Sequence, residues 1–360
     1  MGTMFCMSGD SGDLKDSVDF WIGGYQAEGS EPGSGEGIWR VTLDVRSEQL
    51  TGKRQVITTP VPSFVARHPS KPVLYAVAES DEGSVSAFNI ANGALEHLLT
   101  APTGGSFPCH LRATADALWV ANYGDGVVTR FKLDDDGVPT GDPDVHRHAG
   151  SGPNSERQEG PHAHYVHDVG GGSVWVSDLG TDQLRRITSA GADGIAAVLP
   201  AGTGPRHMAT LPGGAVVVVG ELDARLHVLS ADGREVLHAG RRALAQDVPQ
   251  GEPCQPSHLA MGVSEGTRSL LYVASRGPDV LSVFAVEEDQ SLSHLSDTHV
   301  GGSWPRHFAV VPDNRGSGDL VLVANQYSST LDLLRMTPAG SAEHVTSLDF
   351  VAPSCVLPVT

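Results

Sequence analysis

In the stretch GPRHMATLPGGAVVVVGELD, residues 204–223, a cation and a carboxylate flank a hairpin signal. Gly213-Gly214 is a turn pair between two β-forming runs, and folding about it sets Arg206 directly across from Glu221 at the open end. Such a pair is either a plain cross-strand ion pair or one wall of a site, and Arg and Glu seldom face inward unless paired. Other chemistry-bearing groups recur nearby. PHAHYVHD carries His162, His164 and His167, SRG carries Arg276, and WPRH carries Arg306 and His307. Carboxylate and imidazole groups move protons, and guanidinium groups hold anions. His162 and His164 fall on one strand face and His167 on the other, so the three are not arranged for one ion; without a third protein ligand no metal is assigned, and no cofactor. The sequence has no GxSxG elbow, no HExxH and no P-loop. The glycines of EPGSGEGIWR do not follow a strand and open a helix, so a dinucleotide site is not expected.

The elements that must position these groups repeat. Pro62, Pro108, Pro161, Pro205, Pro256, Pro305 and Pro353 stand 44–53 residues apart, each opening a short strand, a turn and a β-branched or aromatic run. Alternating runs such as SVSAFNI, RLHVLSAD and VLSVFAVEE follow. Four strands per unit and seven units predict an all-β fold, a seven-bladed propeller of four-stranded antiparallel blades. The last unit, APSCVLPVT, is a lone strand, so DFWIGGY and GIWRVTLD at the other end must complete its blade and close the ring, which removes exposed sheet edges. The expected layout is a tail over residues 1–17 and one domain over 18–360.

In this arrangement each blade presents the start of its first strand and the end of its second at one mouth of the channel. The first position reads His110, His164, His207, His258 and His307; the second reads Glu79, Asn122, Asp178, Glu221, Ser275-Arg276 and Asn325-Gln326. With Arg206 and Arg306 added, that mouth is basic in a chain whose net charge is −19, which points to an anionic ligand. The plainer alternative is that polar strand ends cap blades, and it suits Asn122, Asp178, Asn325 and most of the histidines better than Arg206, Glu221 and Arg276.

At these residues the chain resembles the lactonase family of seven-bladed β-propellers, which contains bacterial propeller-type 6-phosphogluconolactonases and fungal carboxymuconate-lactonising enzymes. PCHLRATADALWVANYGDG, GPHAHYVHD, GTGPRHMATLPGGAVVVVGEL, YVASRG and WPRHFAVVPD carry the likeness, over roughly residues 19–358. It implies that His164, Arg206, Glu221 and Arg276 form a catalytic site, with His110, His162, His207, His258, Arg306, His307 and Asp178 as further substrate-binding candidates. Two motifs depart from the family, Gly220-Glu221-Leu222 for NEL and Ala274-Ser275-Arg276-Gly277 for SNRG; each lacks an Asn beside the site. The implied reaction is hydrolysis of a sugar lactone, 6-phosphogluconolactone or a related aldonolactone. Glu221 or His164 would be the base and the other the proton donor, with Arg206 and Arg276 on a phosphate or carboxylate. A carboxymuconate-type lactonising enzyme and a non-catalytic ligand-binding propeller are the alternatives.

The acidic balance opposes binding to nucleic acid or anionic membranes. Cys6, Cys109, Cys254 and Cys355 are widely spaced and read as reduced thiols. The first residues lack a basic and an apolar signal region, and no apolar run reaches the roughly 18 residues of a membrane helix, so a cytoplasmic location is expected.

Overall fold

The computed structural model describes residues 16–26, 37–191, 193–244, 252–262, 268–313, 318–337 and 339–359. Among these are 28 strands and no helix, so none that could cross a membrane. The strands form seven four-stranded antiparallel sheets, the expected seven-bladed propeller. Blades 2 to 7 are consecutive in sequence: 65–102, 108–146, 163–198, 205–242, 255–299 and 305–349. Blade 1 is composite. Its inner strand, Pro353–Pro358, pairs with Ser17–Gly24, which pairs with Ile38–Asp44 and then Gln49–Ile57, so the chain ends close the ring as expected. The tail over 1–17 and Cys6 lie outside the described residues, apart from Asp16 and Ser17, where the first strand already starts. Cys109, Cys254 and Cys355 are free thiols.

A blade sheet is covered on both faces by its neighbours, and this explains the run of valines. In the strand Val216–Gly220, Val216 and Val218 pack on Trp175 and Leu184 of blade 4, while Val217 and Val219 pack on Leu271 and Val273 of blade 6. Residues alternate faces along a strand, so a strand buried on both sides reads as continuously apolar. Each such valine contributes about 1.5–3 kcal/mol of burial.

Two backbone devices aim side chains at the axis. The residue before the repeat proline is left-handed in five blades: Val61, Phe107, Gly204, Trp304 and Ala352 have φ between 36° and 64°. That conformation is costly for a β-branched or bulky residue and collects at functional sites. At Gly204 a Cβ would sit 2.4 Å from Leu222 Cγ, so glycine is required there. Just after the proline, the inner strand bulges. Pro108 pairs with Asn122 and His110 with Ala121, leaving Cys109 extra; the same shift leaves His164, Ser257 and Arg306 extra in their blades, and it falls at Arg206-His207 in blade 5. A bulge re-aims a side chain, here toward the channel.

Candidate active site

The repeated bulge stacks three rings of side chains along the channel. The first ring comes from residues just past the second strand of each blade: Tyr25, Glu79, Tyr123, Leu179, Glu221 and Gln326. Each donates its backbone N–H to a carbonyl at the foot of its own inner strand, as Glu221 does to Gly204 at 2.8 Å. Arg276 holds the equivalent place in blade 6, paired with Gln255. The second ring holds the bulge residues, among them Cys109, His164, Arg206 and Arg306. The third ring lies below it.

Glu221 is the hub. Its side chain is 2% exposed and meets three guanidinium groups: Arg206 Nε at 2.9 Å, Arg276 Nη2 at 2.6 Å and Arg157 Nη2 at 2.6 Å. Burial alone would raise its carboxyl, but Arg276, Arg206, His164 and Arg157 hold it well below the usual carboxylate range. Arg157 also donates to Tyr123 Oη, and Arg276 lies over the Trp304 ring. Arg206, 3% exposed, is pulled down to about 9 by burial and by Arg276, and is still a cation at neutral pH. Its Nη1 is buried with no hydrogen-bond partner among the described residues. Arg306 donates to Tyr25 Oη at 2.7 Å, and Tyr25 donates to Glu79. Four guanidinium groups thus face two carboxylates, an excess of positive charge in an acidic protein.

His164 is 7% exposed, and burial, reinforced by Arg206, drops its imidazole well below the ordinary range, so the ring is neutral. The Cys109 Sγ is 3.8 Å from its Nδ1, and burial pushes that thiol up, so Cys109 is not a thiolate nucleophile. Cys109, His164, Arg206 and Arg306 line a cavity of about 20 Å³, room for about one water molecule.

The other histidines lie deeper than the sequence reading placed them. His110, Tyr165, His207, His258, His307 and Phe64 form a closed circuit of rings, with successive centroids 4.1, 4.5, 5.1, 3.9, 5.5 and 4.4 Å apart. Reading His164 as the counterpart of His110 and His207 was an error of register. PHAH adds two residues, so Ala163, not Pro161, pairs at the strand foot with Asp178 and takes the place of the proline. Tyr165 therefore joins the circuit and His164 joins Arg206. Burial keeps His110, His207, His258 and His307 neutral. The circuit separates the arginine chamber from a larger cavity at the opposite mouth.

Two further candidates serve the fold. Asp178 accepts from the His162 N–H at 2.7 Å, Gly180 N–H, Thr181 Oγ1 and His148 Nε2, and it does not line the chamber. Asn122 and Asn325 make similar corner bonds. His162 has both ring nitrogens engaged, by the Tyr123 carbonyl and Glu159, and stacks on Tyr123, so it positions Tyr123. At Gly220 a Cβ would lie 2.1 Å from Asp223 Oδ1 and 2.8 Å from the Thr203 carbonyl oxygen, so an Asn there requires the Asp223 side chain and the Thr203 backbone to shift. Sequence reasoning missed Arg157, Tyr123, Tyr25 and Cys109. Cys109 could have been found by aligning PCH with PRH; Arg157, on a loop before blade 4, carried no such signal.

The chain matches the family described as "Lactonase, 7-bladed beta-propeller" over residues 19–358. A relative from Bacillus subtilis named 6-phosphogluconolactonase is 29% identical over 329 residues, covering 84% of this chain and 89% of that one. One of the same name from Formosa agariphila is 25% identical over 328 residues, covering 85% and 89%. The solved structure of the periplasmic gluconolactonase of Pseudomonas aeruginosa aligns with a TM-score of 0.80 at 25% identity, over 96% of this chain and 99% of that one.

Proposed function

The chain belongs to the lactonase family of seven-bladed β-propellers, and on that premise we propose that it hydrolyses a sugar lactone with an anionic or polyhydroxylated tail, such as 6-phosphogluconolactone or a related aldonolactone. The observation that carries this reading is buried Arg206, whose Nη1 has no hydrogen-bond partner among the described residues, beside neutral His164 on a small cavity that both residues line.

In this mechanism His164 takes a proton from water as the water oxygen bonds to the lactone carbonyl carbon. Arg206 Nη1 stabilises the oxyanion that forms. The bond from carbonyl carbon to ring oxygen then breaks, and the imidazolium returns its proton to that oxygen. Glu221, held ionised, cannot be the proton donor; it fixes Arg206 and Arg276 and favours the imidazolium, whose charge it senses. Arg276, Arg306 and the more exposed Arg157 hold the anionic or hydroxylated tail.

The test is turnover of 6-phosphogluconolactone and gluconolactone above spontaneous hydrolysis, with 3-carboxymuconate in parallel. Lactone hydrolysis supports the reading. Cyclisation of the muconate without lactone hydrolysis, or tight binding of sugar acids without turnover, overturns it.

A further inference from the structure

A second cavity is far larger than the arginine chamber. It opens at the other mouth of the channel, beneath the ring circuit, with a volume of about 690 Å³, within the range of small-molecule sites. Its composition is selective. Among the described residues Arg67, Lys71 and Arg112 line it and no Asp or Glu does, although the chain holds 43 acids to 24 Lys and Arg. Arg112 is exposed at the end of the strand Pro108–Ala113, and its charge is among the causes, after burial, that lower His110 and His167. Asp168, felt by His167, lies outside the lining.

Two of the imidazoles in the lining have the same polarity. His110 Nδ1 accepts the Val166 N–H at 3.2 Å, and His307 Nδ1 accepts the Val356 N–H at 3.3 Å. Both rings are neutral, so each carries its proton on Nε2 and can only donate there. The walls beside them are aromatic and aliphatic: Phe64, Tyr165, Leu111 and Leu357. Cations at the rim, N–H donors and ring faces without carboxylates select a ligand with an anionic head and a flat or apolar body.

We propose that this second mouth is a binding site for a small organic anion, a phosphate or carboxylate borne on a ring, separate from the arginine chamber. Lys71 and Arg112 hold the anionic head, and Phe64, Tyr165 and the two imidazoles receive the body. The proposal does not rest on the lactonase reading, since it uses none of the residues assigned to that reaction.

The probe is 4-fluorophenyl phosphate, followed by fluorine NMR titration, with 4-fluorobenzyl alcohol as its neutral counterpart. Wild type and Arg276→Ala should bind the phosphate alike, and the alcohol more weakly. The double variant Lys71→Ser/Arg112→Ser should lose about ten-fold or more in affinity, as expected for removing charge-assisted bonds. Lys71 is half-buried and Arg112 exposed, and a thermal melt checks that this variant is folded. The proposal is overturned if wild type does not bind the phosphate, if the double variant binds as tightly as wild type, or if Arg276→Ala abolishes binding.

Discussion

Arg206 Nε lies 2.9 Å from Glu221 Oε2, yet the two residues are not cross-strand partners. Pro205 pairs with Gly220, and the bulge that follows turns Arg206 toward a carboxylate one residue beyond the partner strand. The ion pair is thus a product of the bulge, and Arg157 and Arg276 converge on the same carboxylate from a loop and a neighbouring blade.

A buried carboxylate among three cations is hard to remove. Glu221→Gln leaves those charges uncompensated and should cost about 3–5 kcal/mol in denaturant unfolding. Arg276→Ala should then cost less in the Glu221→Gln background than in wild type, a coupling that a double-mutant cycle reads directly. Additive costs would show that the contact is energetically idle.

The buried neutral imidazoles of the circuit and the chamber make stability fall in acid. His110, His164, His207, His258 and His307 have folded values below the unfolded value, with His307 at about 3. Unfolding therefore takes up protons below about pH 6.5, the ordinary histidine value. The histidine contribution is complete above that pH and is lost as pH falls from there through the folded values, with a limiting slope of roughly 1.4 kcal/mol per pH unit for each ring. Melting temperature against pH should be flat near neutrality and steep below 6.5, and His307→Gln should reduce the slope by about one proton. A flat profile down to pH 5 contradicts the neutral circuit.

Closure depends on the last strand. Deleting residues 352–360 removes Pro353–Pro358 from blade 1 and exposes the edge of Ser17–Gly24. The truncated chain should be insoluble or melt far below the full chain; equal stability would refute closure as the source of the fold's integrity.

The blade count and the closure were legible because proline spacing and β-branched runs report strand order; the Gly213-Gly214 turn brought Arg206 near Glu221 but as a direct cross-strand partner, which the bulge overturns. Depth along the channel was not. A bulge changes which side chains face the axis without altering residue type, so matching His164 to His110 by residue type, with Pro161 taken as the strand foot, put His164 one ring too deep and concealed Tyr165. Arg157 was hidden for a different reason. It reaches Glu221 from a loop, where no periodicity constrains position.

The assignment of His164 as base has a pH signature. His164 is already neutral at pH 6.5, so kcat/KM should hold its plateau there and decline only in stronger acid, where imidazolium forms. His164→Gln should lose about 10²–10⁴ in kcat while melting near wild type. Full activity in that variant would remove His164 from the mechanism.

The central claim is that the arginine chamber hydrolyses lactones and reads an anionic tail. The most direct measurement is kcat/KM for 6-phosphogluconolactone and for gluconolactone, in wild type, Arg276→Ala and Arg306→Ala, each corrected for spontaneous hydrolysis and for folded fraction. The account predicts that either substitution lowers the value for the phosphorylated lactone about ten-fold more than for the neutral one. Equal losses on both substrates, or losses that vanish once folded fraction is counted, would contradict it.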